Sequence, residues 1–550
     1  MSTDAAAGRP TAWSPPGPGR WSRDRSHYPG GTTPISRWLI ETGMASGTRR
    51  VFAEMGAPVD SVAARFVHGF MYTRSVPLVG ANRTTTKLPP LWVLRVASRM
   101  HPEFRRRTRA ATRSLATPPG PGVLRRWHTE IRPSVVARNQ AFASVALSVL
   151  DDAGLAAHAR SLLDHLFEMS ELHFWLHGYD LGPIARYVAL TSSLGVPTAQ
   201  AVGALAGASP STGEPRRQLA AVRAALDDAR PTTLAELRAC SSEAGRLLDA
   251  YLVERGHTLV TRYDLDGLTL AELPETLLDT IMRTGPDEAT DDGTAAAAVI
   301  RARVPEGRRP EFDDRLAEAR AVMDMRDDNG PTVFEQPAGL LRLALLEVGR
   351  RLVARGAAER IDHAFELAHD EVVPLLTTGG GPTSTELARR AAERNAEAHL
   401  DPPVALGPLE PVPPSDVLPG PLAEFATVIQ VALAELGMLG PDLAADGLTG
   451  TGVGTTPYRG RVRRCGSPEE AFEAMEPGDV LVVRATSPAF NAILSIAGAV
   501  VTADGGPLSH AAVLARELGI AAVVGAHGAL DLPDGALVEV DPTAGVVRLL

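Results

Sequence analysis

The chain contains a single lysine, Lys87, and arginine supplies almost all of its positive charge. P-loops and kinase-type or ATP-grasp clamps use lysine as a compact cation against nucleotide phosphates, and no G-x-x-x-x-G-K-[S/T] segment occurs. No cofactor bound by this chain is therefore expected, nor a nucleotide site of its own. Cysteine is almost as scarce: Cys240 and Cys465 stand far apart, outside any C-x-x-C or Cys/His cluster. That pattern excludes a disulfide framework and a zinc centre, and no metal site is predicted. No stretch approaches the roughly 20 apolar residues of a membrane helix. The net charge of −10 leaves no basic surplus to displace counterions from nucleic acid. One local exception runs from Arg95 through Arg99, Arg105, Arg106, Arg107, Arg109, Arg113, Arg125 and Arg126, which fits either a phosphate-meeting patch or a solvated helix face. The start, MSTDAAAGRPTAWSPPGPGR, has an early acid, several prolines and no apolar run, so neither a secretory nor a transit signal is read there. A cytoplasmic protein is expected, with no membrane and no nucleic-acid partner.

What is present is enough apolar sequence, 44% of 550 residues, for several cores. Residues 1–20 read as a disordered tail and 21–400 as a mainly helical domain. Leu219, Val222 and Leu226 recur at helical spacing, as do Leu247, Leu248, Tyr251 and Leu252, and again Leu341, Leu345, Val348 and Leu352. Breaks fall at Gly207–Pro215 and at Thr284–Gly293. Residues 401–421, DPPVALGPLEPVPPSDVLPGP, are too proline-rich for a helix or a central strand and predict a semi-rigid extended spacer. A connecting helix and loop follow over 422–449.

From 450 to 550 the pattern becomes alternating α and β. Strands are predicted at Asp479–Arg484, Ala499–Thr502, Ala521–Val524, Ala536–Val540 and Val546–Leu549, with a helix over Ser509–Leu518. The fold class is therefore multidomain, a mainly α-helical substrate domain followed by a C-terminal α/β domain.

Within TADGGPLSHAAVLARELGIAAVVG, Gly505 and Gly506 follow a strand and His510 opens a helix. Glycines without Cβ atoms let a phosphate approach the backbone, and the free N–H groups of a helix start favour an anion. Ser509 is placed to cap that helix. The positive helix end disfavours imidazolium, so the neutral, nucleophilic imidazole is the expected form.

These residues resemble the swivelling phosphohistidine domain of phosphoenolpyruvate-utilising enzymes, with GGPLSHAAVLARELGIAAVVG as the main match, GDVLVVRATSP before it and DPTAGVVRLL after it. The resemblance implies that His510 accepts and passes on a phosphoryl group. More scattered motifs resemble the substrate domain of rifampin phosphotransferase-like proteins: WSRDRSHYPGGTTPIS, FVHGFMYTR, ALAGASPST, ERGHTLVTRYDLD and MRDD. Such proteins begin with an ATP-grasp domain, and neither that domain nor a phosphoenolpyruvate-binding barrel is read in this chain. A separate ATP-grasp protein, with ATP and Mg2+, is the implied donor, and a hydroxyl of a small organic molecule the implied acceptor. Motif position makes Arg326 and Arg74 candidates for stabilising charge in the transfer and His257 or Asp264 candidates for taking the hydroxyl proton. Trp21, His27 and Tyr72 are candidate pocket-lining residues. Each of these seven also has an ordinary reading, as an ion pair, a hydrogen-bonded side chain or core packing. Two other functions stay open: a dehydratase that phosphorylates a hydroxyl in order to eliminate it, and a non-catalytic binding module that keeps the carrier fold. The acceptor itself is not identified by the sequence.

Overall fold

The computed structural model describes residues 12–24, 27, 28, 30–285, 293–435, 448–486, 490–507, 509–526 and 528–550. Most of the predicted tail, much of the loop Thr284–Gly293, the end of the connecting segment, and Ser487 and Pro488 lie outside them.

A mainly helical region over roughly 30–430 is organised around one long helix, Asp152–Ser193. Its N-cap, Asp151, accepts a hydrogen bond from Gly154 N at 2.7 Å, satisfying one of the orphan donors of the first turn. The first half of the helix buries Leu155, Leu162 and Leu166 in a core shared with Leu341, Leu345, Val348 and Leu352 of the helix Gln336–Ala354. The second half buries Leu176, Tyr187 and Val188 with Phe312, Val322 and Met325 of the helix Arg309–Asp328. The helix Pro34–Met55 lies so close to the long helix that a Cβ on Gly43 would meet Ser170 Oγ at 2.1 Å and one on Gly47 would meet Glu171 O at 2.4 Å. Only glycine permits that approach. A smaller core gathers Leu219, Val222, Leu226, Leu248 and Tyr251 with Leu277 and Ile281, so the stripes at helical spacing are buried faces.

The helical region also carries a four-stranded sheet that helical periodicity does not reveal. Its strands are β1 (Trp21–Arg23), β2 (Val59–Val67), β3 (Phe70–Pro77) and β4 (Ala405–Leu406), in the order β2-β3-β1-β4. β4 comes from the proline-rich segment, which is held along much of its length. Pro402 O accepts from Arg23 Nη1 and Pro403 O from Tyr72 Oη, each at 2.9 Å. Further on, Glu410 accepts from Arg20 N and Thr85 N, and Val417 O accepts from Ser98 Oγ. Proline removes N–H donors and keeps the carbonyls, so such a segment docks through its oxygens on groups that donate. The helix Gly420–Glu435 then packs against the long helix.

The C-terminal region is a seven-stranded mixed sheet. It comprises β5 (Thr451–Val453), β6 (Tyr458–Arg464), β7 (Val480–Val483), β8 (Ala499–Thr502), β9 (Ala521–Val524), β10 (Leu537–Asp541) and β11 (Val546–Leu549), in the order β11-β10-β6-β7-β8-β9-β5. β6 to β9 run parallel, β5 pairs antiparallel with β9, and β10 pairs antiparallel with β6 and β11. The buried runs of β7, β8 and β9 are covered on one face by the helices Pro468–Ala474, Asn491–Leu494 and His510–Glu517 and pack on the other with Ala529, Leu532, Val538 and Val547, so both faces are buried, as parallel strands require.

Candidate functional site

Parallel strands open a crevice beyond their carboxyl ends, and the C-terminal sheet places its chemistry there. The chain leaves β7 towards Thr486, leaves β8 towards Gly505 and Gly506, and leaves β9 at Gly525. The exits are knitted together: Ala503 N donates to Val483 O, Asp504 N to Arg484 O and Ala526 N to Thr502 O, at 3.0, 2.7 and 2.8 Å. The β8 exit turns back where Ser509 N donates to Gly506 O at 2.9 Å. Ser509 is the N-cap of the helix His510–Glu517, its Oγ accepting from Ala512 N. His510 is thereby fixed at the first position of the helix.

The His510 ring is half-buried, and its Nδ1 lies 2.8 Å from Thr486 Oγ1. In the tautomer that is nucleophilic at Nε2, Nδ1–H donates to that hydroxyl and the Nε2 lone pair is left to react. Burial pushes the ring pKa down to about 4, so the imidazole is neutral at neutral pH. Beneath the glycine loop the fully buried Thr502 Oγ1 has no hydrogen-bond partner among the described residues. Thr486 is the member of this set that motif reading did not single out, although the Thr-Ser-Pro loop that holds it was noticed. Thr486→Val is expected to slow phosphorylation of His510 about tenfold, the equivalent of the roughly 1–1.5 kcal/mol one hydrogen bond contributes, and Thr486→Ser to restore it. Single-turnover labelling of the two variants checks this.

The other predicted residues fall in three places. Trp21, Tyr72 and Arg74 belong to the four-stranded sheet: Trp21 and Tyr72 are core with Phe70 and Leu406, and Arg74 is buried against Glu410 at 3.5 Å and donates to Ala81 O. His257 lies elsewhere, beside a cavity of about 330 Å³ lined also by Phe142, His158 and Leu340. Asp264 is 1% exposed and both its oxygens are engaged, by Thr33 N at 2.8 Å, by Thr33 Oγ1 and by Leu265 N at 2.7 Å. It pins the start of the helix Pro34–Met55.

His27 stands exposed on a loop, and Arg326 lies on the helix that leads into a polar interior that sequence reasoning largely missed. His27 Nδ1 is 2.9 Å from Asp24 Oδ2, and Asp24 Oδ1 accepts from His27 N at 2.8 Å. Asp24 holds the ring pKa up, against burial, which pulls it down. Tyr263 stands 5.4 Å from the ring between centroids. On the long helix His173 and His177 are 4.5 Å apart, with His177 Nδ1 2.9 Å from Asp180 Oδ2 and His173 Nδ1 3.2 Å from Asn329 Oδ1. Asn329 opens a π-helical stretch, Asn329–Glu335, and such stretches concentrate at functional sites. It ends at Glu335, 3% exposed, whose Oε2 has no partner among the described residues and whose pKa burial pushes up to about 8. Arg326 precedes the stretch, 3.5 Å from Asp327. The sequence signal for part of this cluster is the run of His173, His177 and Asp180 at helical spacing.

The two sites are linked through one turn. Gly207 N donates to Glu517 Oε1 at 3.4 Å, and the helix His510–Glu517 lies against the helix Pro210–Ala224. The start of that second helix is tied to the helix before the π-helical stretch, by Ser211 N to Asp324 Oδ1 at 2.9 Å and Thr212 Oγ1 to Asp327 Oδ2 at 3.1 Å. Among the described residues no group of three or more His, Cys, Asp or Glu side chains is placed to hold a metal, and no helix is long and apolar enough to cross a membrane.

Residues 475–545 match the family described as PEP-utilising enzyme, mobile domain, and the C-terminal region is such a phosphohistidine domain. Over its whole length the chain is 27% identical to a segment making up 14% of chondramide synthase from Chondromyces crocatus. It is 31% identical to a rifampicin phosphotransferase from a Streptomyces species, over 56% of this chain and 35% of that protein. An uncharacterized protein of Mycobacterium tuberculosis is 38% identical over 38% of this chain and 22% of its own length. The chain thus spans well under half the length of each of these relatives.

Proposed function

We propose that the chain is a phosphotransferase component in which His510 carries a phosphoryl group from ATP, used with Mg2+ by a separate ATP-grasp protein, to a hydroxyl of a small organic substrate held in the helical region. The observation that carries this is the His510 imidazole, held 2.8 Å from Thr486 Oγ1 and set at a helix start capped by Ser509 at the carboxyl ends of parallel strands, within a mobile-domain match. The partial similarity to a rifampicin phosphotransferase supports an alcohol as acceptor. In the charging step Nε2 attacks phosphorus as the P–O bond to the nucleotide breaks and the nucleotide leaves with that oxygen and its electron pair, while Nδ1–H keeps its hydrogen bond to the Thr486 hydroxyl. Positioning and donors supply most of what phosphoryl transfer needs, so a half-buried, pre-oriented ring suits the task. Residues 402–406 are tied to the N-terminal sheet, Val417 to the helix Leu91–Met100, and the helix Gly420–Glu435 to the long helix, so these segments stay with the helical region while the C-terminal region travels.

The test is incubation with labelled ATP, magnesium and an ATP-grasp protein encoded nearby. A phosphate that is lost in acid, survives alkali and maps to His510 is expected. The nucleophilic form persists well below pH 6.5, since the ring titrates near 4, so the labelling rate should stay flat from pH 8 to about 5.5 as far as this ring governs it. Label on another residue, or an acid-stable label, overturns the reading.

A further inference from the structure

We infer that His27, oriented by Asp24, is the general base that takes the proton from the acceptor hydroxyl, in a pocket formed with Tyr263, His173 and Glu335. This deepens the phosphotransferase reading and rests on it. Asp24 grips the loop at His27 N and the ring at Nδ1, which leaves Nε2 as the free basic nitrogen, the division of labour of an orienting carboxylate and a histidine base. The His27 side chain is 56% exposed, yet burial opposes the pull of Asp24 on its pKa. Solvent reaches the ring, and Tyr263 stands against it at 5.4 Å between centroids. His173 is held to Asn329 at the head of the π-helical stretch that ends in Glu335.

Glu335 identifies what fits there. Its carboxyl is 97% removed from solvent, one oxygen is unpartnered, and burial favours the neutral acid, which is a hydrogen-bond donor. In the inferred pocket, a buried neutral donor together with a histidine base selects an uncharged alcohol that also carries an acceptor oxygen. Asp264 and His257 do not compete for the role: the first has both oxygens committed, and the second lines a different cavity. The step balances. The hydroxyl proton passes to His27 Nε2, the substrate oxygen bonds to phosphorus, and the P–N bond breaks with its electron pair returning to His510 Nε2. His510, still carrying its Nδ1 proton, is then neutral, and His27 releases its proton to solvent.

The probe is molar glycerol, an uncharged alcohol, given to protein charged on His510 by ATP and its partner or by potassium phosphoramidate, with His510→Ala as background. Loss of label and formation of glycerol phosphate or inorganic phosphate are followed. His27→Asn is expected to slow discharge about 10²-fold and Asp24→Asn at least tenfold, while charging from ATP and the melting temperature stay near wild type. Glu335→Gln, which keeps a neutral donor, should remain within about threefold of wild type. Discharge no faster in wild type than in His27→Asn overturns the assignment, and so does a collapse confined to Glu335→Gln, which would make the carboxylate the base. Failure of ATP to charge His510 at all strikes the phosphotransferase reading instead, and the phosphoramidate arm still tests the base.

Discussion

Gly505→Val is expected to abolish phosphoryl transfer through His510 although the imidazole itself is untouched. Gly505 has φ +119°, a backbone conformation that L side chains rarely adopt and β-branched ones least of all. A Cβ there would also lie 3.0 Å from Ser509 Oγ and 3.1 Å from its Cβ. Relief in either direction moves Ser509, and Ser509 is the cap that starts the helix one residue before the reacting ring. A displacement of about 1 Å at a reacting centre costs on the order of 10²-fold in rate, and here both the ring and the anion-facing loop shift together. The backbone strain adds about 1–3 kcal/mol to the instability of the C-terminal region. Label yield on His510, read beside a thermal melt, separates the two effects: transfer should vanish at temperatures where the variant is still folded.

The C-terminal region was legible because its signals are local. Short apolar runs bounded by glycine and proline gave β8 and β9 at their observed bounds, and the cap, the glycines and the histidine lie within six residues of one another. Thr486, 24 residues earlier, joins His510 only because β7 and β8 are parallel neighbours, a pairing that no local pattern encodes. The helical region was legible as to class, since buried stripes at helical spacing mark core faces whatever they pack against. Its four-stranded sheet was not, because β1 and β4 are three and two residues long and β4 is drawn from a proline-rich segment expected to stand apart. The polar interior was harder still. Asp24, His173, Tyr263 and Glu335 are spread over some three hundred residues, and a buried carboxyl is indistinguishable in sequence from a surface one. What distinguishes Glu335 is its lack of solvent and of a partner, both properties of the folded chain.

Arg394→Met should be among the most destabilising single changes in the helical region, by about 3–5 kcal/mol, because it leaves buried carboxylates without their cation. The guanidinium is 14% exposed and bonds Glu366, 2% exposed, from both Nε and Nη2, at 2.9 and 2.8 Å, and Asp266, 18% exposed, from Nη1 at 2.6 Å. Burial already holds both acids above their ordinary pKa values, with Arg394 opposing it. Removing the arginine raises them further. A carboxyl whose folded pKa exceeds its unfolded one contributes stability below the unfolded pKa and loses it as pH rises through the folded one. The penalty of the variant is therefore largest at neutral pH and shrinks as pH falls through the carboxylate range, where the orphaned acids take up protons. Denaturant melts at pH 7 and pH 5 check the sign: a loss that is equal at the two values would mean packing, and not charge, is what Arg394 supplies. The same guanidinium donates to Gly31 O at 2.9 Å while Arg262, 3.2 Å from Asp266, donates to Gly30 O at 3.1 Å. The pair thus fixes the end of the loop that carries Asp24 and His27, and discharge of phospho-His510 should fall in Arg394→Met even at temperatures where the variant remains folded.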